Sequence, residues 1–200
     1  MAQTGGANQR HMQASETMAP QRYFPIRAGY TWTYVERVTT PLQVVLLQRR
    51  VTLTVQHSHQ DEHVAYWHFQ SGATVLPNVR YRLVKDGIQQ AQLTDDTRYT
   101  PFVYLLKTPL VVGTMWQALH GATIRIAAVG VSCTVPAGEF SQCVETLQES
   151  EPTPENRMTT QLRFALDIGV VWQQRNLYRQ ATLERYDIME LQKLPGPIQL

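Results

Sequence analysis

Segment 131–144, with the sequence VSCTVPAGEFSQCV, decides the fold class of this chain. Two runs rich in β-forming residues flank the four residues P-A-G-E. Because proline fixes φ and glycine accepts a positive φ, Pro136 and Gly138 are typical of a turn between two strands. The segment therefore predicts a β-hairpin.

Apolar and polar residues alternate with a period of two on both sides of this hairpin. Trp32 and Tyr34 alternate with polar residues, and the same pattern recurs in residues 51–56. Asp86-Gly87 lies between two more alternating runs, which is a strong hairpin signal. Such alternation is typical of strands with one buried face. It predicts an all-β fold of roughly nine to eleven strands, with more than about 40% strand and less than about 15% helix. One antiparallel, strongly twisted sheet is expected to form either a half-open barrel or a two-layer sandwich.

The chain divides into three regions by composition. Residues 1–21 are polar and without periodicity, which predicts a disordered leader or tether. Residues 22–192 are predicted to form a single β domain, because 200 residues suit one domain. Residues 193–200 contain P-G-P and are predicted to be a tail.

A Pro–Gly–Trp pattern with the same spacing occurs twice in the chain. Each copy predicts a turn in which Pro stops strand pairing, Gly allows the bend and Trp re-enters the sheet facing the core. Two halves starting near residues 23 and 107 would follow from a duplication, although chance is the alternative for so short a pattern. Both Trp residues are predicted to be buried. The copies are Pro25, Gly29, Trp32 and Pro109, Gly113, Trp116.

Composition restricts the class of partner. The net charge is +2, and there is no long basic block. Binding to nucleic acid is therefore not predicted, and the overall charge gives little support to an anionic membrane. No apolar run approaches the roughly 18 residues that a membrane span needs, and the N-terminal residues lack the apolar core of a signal peptide. Either a cytosolic protein or a form from which a signal was removed fits these features.

Four stretches resemble a family of bacterial secreted or lipoprotein-like β domains of uncharacterised function, which includes the TapB-like proteins. They are the Y-F-P opening at residues 23–34, the P-L-x-x-G-x-x-W stretch at 109–116, the V-P-A-G-x-F-x-x-C stretch at 135–143 and the turn at 164–171. The resemblance covers roughly residues 23–190 and implies an envelope or extracellular β protein. It supplies no catalytic residues. The chain departs from the family at Leu166-Asp167, where the family has Pro-Gly, and it lacks a lipid-bearing cysteine near its start.

A histidine-rich stretch, QHSHQDEHVAYWH, gives the only predicted metal site. If the turn covers residues 60–62, His59 lies opposite His63, and His57 lies on the same face. Three imidazoles within reach of one another could bind zinc or copper. The alternative is a solvated hairpin tip, because a shift of one residue moves His63 to the other face.

Recognisable enzyme motifs are absent from the sequence. It has no G-x-S-x-G elbow, no S-x-x-K, no H-E-x-x-H and no phosphate-binding glycine pattern. No catalytic residue and no cofactor are therefore predicted. Aromatic side chains could line a ligand pocket on a concave sheet, but core packing is the favoured interpretation because strands are rich in aromatics. The aromatic set comprises Trp32, Tyr34, Tyr66, Trp67, Tyr81, Trp116 and Trp172.

The two cysteines are equidistant from Gly138. A turn centred on that glycine places Cys133 directly opposite Cys143, at a Cα separation that a disulfide tolerates. A disulfide is therefore predicted, with two free, buried thiols as the alternative if a β-bulge shifts the register.

These features together predict a non-enzymatic binding or interaction module of the bacterial envelope, whose partner is an unknown protein or small molecule. The alternatives are a carrier of a small apolar or lipid ligand in the concavity of the sheet, and a metal-dependent hydrolytic enzyme that uses His57, His59 and His63. The predicted location is the cell envelope or the extracellular space, with the cytoplasm as the alternative. No transmembrane segment is predicted, and membrane tethering of a precursor stays open.

Overall fold

The computed structural model describes residues 19–59, 62–69, 75–94, 98–150, 158–176 and 179–187. Strands make up about 70% of this part of the chain, and its only helices are two 3₁₀ turns, Pro20–Tyr23 and Leu119–Gly121. The all-β prediction is therefore confirmed. The twelve strands are β1 (Thr31–Thr39), β2 (Val45–His59), β3 (Glu62–Phe69), β4 (Val75–Val84), β5 (Gly87–Gln92), β6 (Val103–Lys107), β7 (Met115–Gln117), β8 (Thr123–Val135), β9 (Gly138–Ser150), β10 (Met158–Ala165), β11 (Gly169–Arg175) and β12 (Arg179–Asp187).

The strands form one antiparallel sheet in the order β6-β5-β4-β3-β2-β1-β12-β11-β10-β9-β8-β7. The first and last strands pair in the middle of this order, with Trp32 opposite Tyr186. The two edge strands, β6 and β7, are consecutive in the chain. The sheet is nearly closed into a barrel with one unsealed seam, which agrees with the half-open barrel and not with the sandwich. Across this seam, the indole Nε1 of Trp116 donates a hydrogen bond to the carbonyl oxygen of Tyr104 at 2.9 Å.

The segment before β1 closes one end of the barrel, which we call the plug end. Tyr23, Phe24 and Ile26 are all buried there. The ring of Phe24 stacks on Trp32 with a centroid distance of 5.7 Å. Pro20–Tyr23 is fixed from outside by a salt bridge between Arg22 and Asp167, a residue of the β10–β11 turn. This packing gives the barrel an apolar core at the plug end.

The two Pro–Gly–Trp turns have the same backbone geometry. Gly29 and Gly113 have φ values of 89° and 92°. In the first copy, the N–H of Gly29 bonds to the carbonyl of Val55, whose own N–H bonds to the carbonyl of Tyr30. In the second copy, residues 113 and 114 exchange the same pair of bonds with Ile126. Each turn starts a run of six strands, β1–β6 and β7–β12. A duplication stays a proposal.

Both tryptophans of these turns are buried, with exposed fractions of 0% for Trp32 and 6% for Trp116. Trp32 also donates its indole hydrogen to a backbone carbonyl, that of Ile168, at 2.7 Å. A buried indole N–H needs such a partner. Each tryptophan therefore combines apolar burial with one long-range hydrogen bond.

The β8–β9 hairpin forms as predicted, but its register differs from the predicted one. Val135 lies opposite Gly138, so the turn residues are Pro136 and Ala137. The N–H of Ala137 donates to the carbonyl of Leu183 on β12, at 3.0 Å. The tip of this hairpin therefore reaches past β10 and β11 to β12.

Candidate functional site at the open end of the barrel

The end of the barrel opposite the plug, which we call the open end, is where β1 ends and β2 begins. Alternate residues of β1 face the interior, and Trp32 and Tyr34 occupy the core. The next position on that face is Glu36, which is 6% exposed. The interior face of β1 therefore changes from apolar at Trp32 and Tyr34 to charged at Glu36, which is nearer the open end.

The carboxylate of Glu36 is held by two arginines from neighbouring strands. Arg49 of β2 donates from Nε to Oε2 at 2.5 Å, and Arg179 of β12 donates from Nε to Oε1. Removing one partner from a buried ion pair is strongly destabilising because the other charge is left without compensation. The charge triad, Glu36 with Arg49 and Arg179, therefore joins the three strands and keeps both guanidinium groups at the open end.

The β1–β2 hairpin carries an apolar tip that extends beyond the barrel. Its turn is regular: the N–H of Thr40 bonds to the carbonyl of Val44 at 2.9 Å, and Gln43 adopts a φ of 62°. The apolar side chains of the tip have exposed fractions between 41% and 86%. A half-buried strand exposes alternate residues only, so neither face of this hairpin end is covered by the described residues. We define the apolar tip as Leu42, Val44, Val45, Leu46 and Leu47.

Arginines surround the base of the apolar tip. Arg50 pairs with Glu184 at 2.7 Å, and Arg37 donates to the neutral amide oxygen of Gln48 at 3.0 Å. Arg175 lies opposite Arg179 in the β11–β12 pair. The arginine collar comprises Arg37, Arg49, Arg50, Arg175 and Arg179. Glu36 ion-pairs with Arg49 and Arg179 of this collar, and Glu184 ion-pairs with Arg50.

Sequence patterns did not single out the apolar tip or the charge triad. The signal was present in residues 41–50, PLQVVLLQRR, where five apolar residues within six positions precede two arginines. An alternating strand would not contain such a run. Glu36 gave no signal, because only the register places it between two arginines.

The predicted histidine site assumed that His59 lies opposite His63, and the backbone register of the structure is different. The side chains of His57 and His59 lie outside the described residues. His59 lies opposite Glu62, and His63 lies opposite Ser58. Position 63 is therefore on the other face of the hairpin from positions 57 and 59. His63 is buried. In the described ranges, no group of three His, Cys, Asp or Glu residues is placed to hold a metal ion.

The cysteines are also displaced from the predicted register. Cys133 lies opposite Phe140 because the turn consists of Pro136 and Ala137 and is not centred on Gly138. Cys143 lies opposite Val131, where bulges at Gly130 and Gln142 shift the register again. Both thiols are buried and free in the structure. Burial is the main factor that raises the pKa of Cys143 to about 11, with a smaller contribution from Cys133. A disulfide in an oxidising compartment stays a prediction.

Several residues of the predicted aromatic set belong to the core. Tyr34 and Tyr81 are buried in the same apolar core as Trp32 and Trp116. Burial raises the pKa of both phenols. Trp172 is half-buried instead, with the guanidinium of Arg163 4.7 Å from its ring centre. Core packing is thus the main role of this set at the plug end.

No helix in the described ranges is long and apolar enough to cross a membrane.

Comparison with known proteins identifies the fold. No protein-family profile and no curated protein matches the chain. Among solved structures, the chain is similar to a Bacteroides fragilis protein with a YmcC-like fold that is described as exported, at 15% identity and a TM-score of 0.51. It is also similar to a protein described as a lipoprotein of Parabacteroides distasonis, at 14% identity and a TM-score of 0.49. Each similarity covers 82% of this chain and 98% of the other. The chain thus shares the YmcC-like fold, and the comparisons do not extend to the TapB-like name.

Proposed function

We propose that the protein is a non-enzymatic binding module of the bacterial cell envelope that engages its partner through the open end of the barrel. The observation that carries this proposal is the apolar tip, in which five neighbouring apolar side chains are exposed. Contiguous apolar surface of this kind marks an interaction site. The charge triad supports the proposal because it fixes the strands on which the tip is mounted.

An envelope location is supported by two independent features. The solved structure with the YmcC-like fold is described as an exported protein. The VPAG hairpin and the two Pro–Gly–Trp turns resemble secreted or lipoprotein-like domains, including the TapB-like proteins, and that closer relationship rests on these motifs alone.

Carriage of a small apolar ligand inside the sheet is less well supported than binding at the tip. Trp32, Phe24 and Phe164 fill the interior of the barrel at the plug end, and none of them is more than 2% exposed. The aromatic ring of Phe24 packs against both neighbours. The tip, in contrast, offers its apolar surface without rearrangement of the core.

The proposal is tested with immobilised full-length protein and a detergent extract of bacterial envelopes. The test variant is Val44→Gln with Leu46→Gln, which makes two tip residues polar at positions that are 57% and 66% exposed. The matched control is Val111→Gln with Val112→Gln, at positions of similar exposure, 55% and 60%, in the β6–β7 connection. Mass spectrometry identifies the lipids and proteins that are retained.

We expect at least one component to be retained by the wild-type protein and the control variant and lost by the tip variant. The proposal is wrong if all three proteins retain the same components in the same amounts. Thermal unfolding of each variant checks that the fold is intact, which is expected for substitutions at exposed positions.

A further inference from the structure

We infer that the partner of the open end is an anionic lipid bilayer surface, into which the apolar tip inserts while the arginine collar binds lipid phosphates. This inference rests on the proposed function and names its partner. It also differs from what the net charge of +2 suggests, because the charge is unevenly distributed.

The first argument is that the apolar tip is exposed on both faces. Val44 and Val45 are neighbours in the chain, and both are more than half exposed. A bulge between Val38 and Thr39 inserts Leu46 as an additional apolar residue, since Thr39 lies opposite Val45 and Val38 lies opposite Leu47. A groove on a partner protein covers one face of a strand, whereas the acyl region of a membrane surrounds an inserted hairpin on every side. The shape of the tip therefore favours lipid.

The second argument is the height of the apolar tip. The strand from Val44 to Leu47 rises by about 10 Å at roughly 3.3 Å per residue. Elements that lie at a membrane interface bury their apolar surface to a depth of about 5–10 Å. Gln48 and Arg49 follow Leu47 directly, so the polar residues begin where the headgroup layer would lie.

The third argument is electrostatic. Five arginines form the collar, and two of them, Arg37 and Arg175, form no ion pair with a carboxylate in the described part of the chain. Arginine presents a planar fork of donors that matches phosphate oxygens. A second copy of the chain would bring one collar against another, and like charges oppose that contact. The collar is therefore complementary to an anionic headgroup layer.

The test measures co-sedimentation of the full-length protein with two kinds of vesicle, one of phosphatidylcholine alone and one of phosphatidylcholine mixed with phosphatidylglycerol. We expect the wild-type protein and the Val111→Gln, Val112→Gln control to bind the mixed vesicles. The Val44→Gln, Leu46→Gln variant should bind the mixed vesicles at least roughly 20-fold more weakly than the wild-type protein, because it buries less apolar area in the bilayer.

The collar is tested by Arg37→Gln combined with Arg175→Gln. Neither of these arginines forms an ion pair with a carboxylate in the described part of the chain. Loss of two cationic groups near an anionic surface should weaken binding roughly tenfold or more. Added salt should also weaken the binding of the wild-type protein to the mixed vesicles. Equal binding of the wild-type protein to both kinds of vesicle would overturn the inference.

Insertion itself is measured with Leu46→Trp and vesicles that carry brominated acyl chains. Quenching of the additional fluorescence supports insertion, and absence of quenching in bound protein overturns it. If the wild-type protein binds neither vesicle but retains an envelope protein through the apolar tip, the lipid inference is wrong and the proposed function stands. If the tip variant matches the wild-type protein in both the vesicle and the extract experiments, both proposals are wrong.

Discussion

The hydrogen bond across the seam should make a measurable contribution to the stability of the barrel. Trp116 is 6% exposed, and its Nε1 lies 2.9 Å from the carbonyl oxygen of Tyr104 on the other edge strand. Trp116→Phe keeps an aromatic ring but removes this donor. A lost hydrogen bond that leaves its acceptor without a partner costs about 1–3 kcal/mol, and the smaller ring removes some buried area. We expect the free energy of unfolding to fall by about 1.5–3 kcal/mol.

This loss corresponds to a decrease in Tm of about 3–12 °C for a chain of this length. Urea denaturation measures the free energy, and hydrogen exchange followed by mass spectrometry locates the effect. Amides of β6 and β7 should exchange faster in the variant, whereas those of the β1–β2 pair should not change. The matched control is Trp172→Phe, because the ring of Trp172 is half-buried beneath Arg163. This substitution should lower the free energy of unfolding by less than about 1 kcal/mol.

The reasoning is refuted if Trp116→Phe unfolds with a free energy within about 0.5 kcal/mol of the wild-type value, the usual range for neutral surface changes. It is also refuted if exchange rises uniformly over the sheet, because the bond would then not act at the seam.

Two further predictions concern single residues. Gly87→Ala should destabilise the protein by about 1–3 kcal/mol through overpacking, because an added Cβ would lie 2.3 Å from the carbonyl oxygen of Leu106; an unchanged Tm in calorimetry contradicts this. The raised pKa of Cys143, about 11, means that the folded protein favours the thiol, so stability is retained below the ordinary value of 9 and is lost as the pH rises from about 9 to 11. Urea denaturation over that pH range should show a smaller decrease in the free energy of unfolding for Cys143→Ala than for the wild-type protein. An equal decrease in the two proteins contradicts this prediction. Two reactive thiols in protein unfolded without reductant would exclude a Cys133–Cys143 disulfide.

The fold class could be predicted from the sequence because period-two patterns depend on few residues at a time. The alternation that turns Trp32 and Tyr34 toward the core does not depend on how the other strands pair. The Pro–Gly–Trp turns likewise require only local backbone geometry. The closure of the barrel was predicted only as one of two forms. It depends on the pairing of β1 with β12, which lie more than a hundred residues apart, and no local pattern specifies that pairing.

Both predicted sites assumed a strand register that the structure does not have. Turn residues locate a turn to within about one residue, but a shift of one residue moves every side chain to the other face. In the β2–β3 pair, His59 lies opposite Glu62, so position 63 is not on the face that the predicted metal site required. In the VPAG hairpin, the turn consists of Pro136 and Ala137 and is not centred on Gly138. Gln142 also adopts a φ of 60° at a bulge, and nothing in its residue type indicates that conformation. Sites that need several strands in register are therefore the part of a β protein that sequence patterns predict least well.

The same reasoning shows why the apolar tip is informative. A continuous apolar run is ordinarily the mark of a strand that is buried on both faces, and V-V-L-L at residues 44–47 is such a run. In the barrel it lies at the end of a hairpin whose tip is exposed on both faces. Full burial of one large aliphatic side chain is favourable by roughly 1.5–3 kcal/mol, and the exposed fractions of the tip correspond to about three such side chains. This free energy is not gained while the side chains are in water, and it becomes available when another surface covers them. Because the base of the hairpin is fixed by the Glu36 triad, the tip is held in position for that contact before its partner arrives.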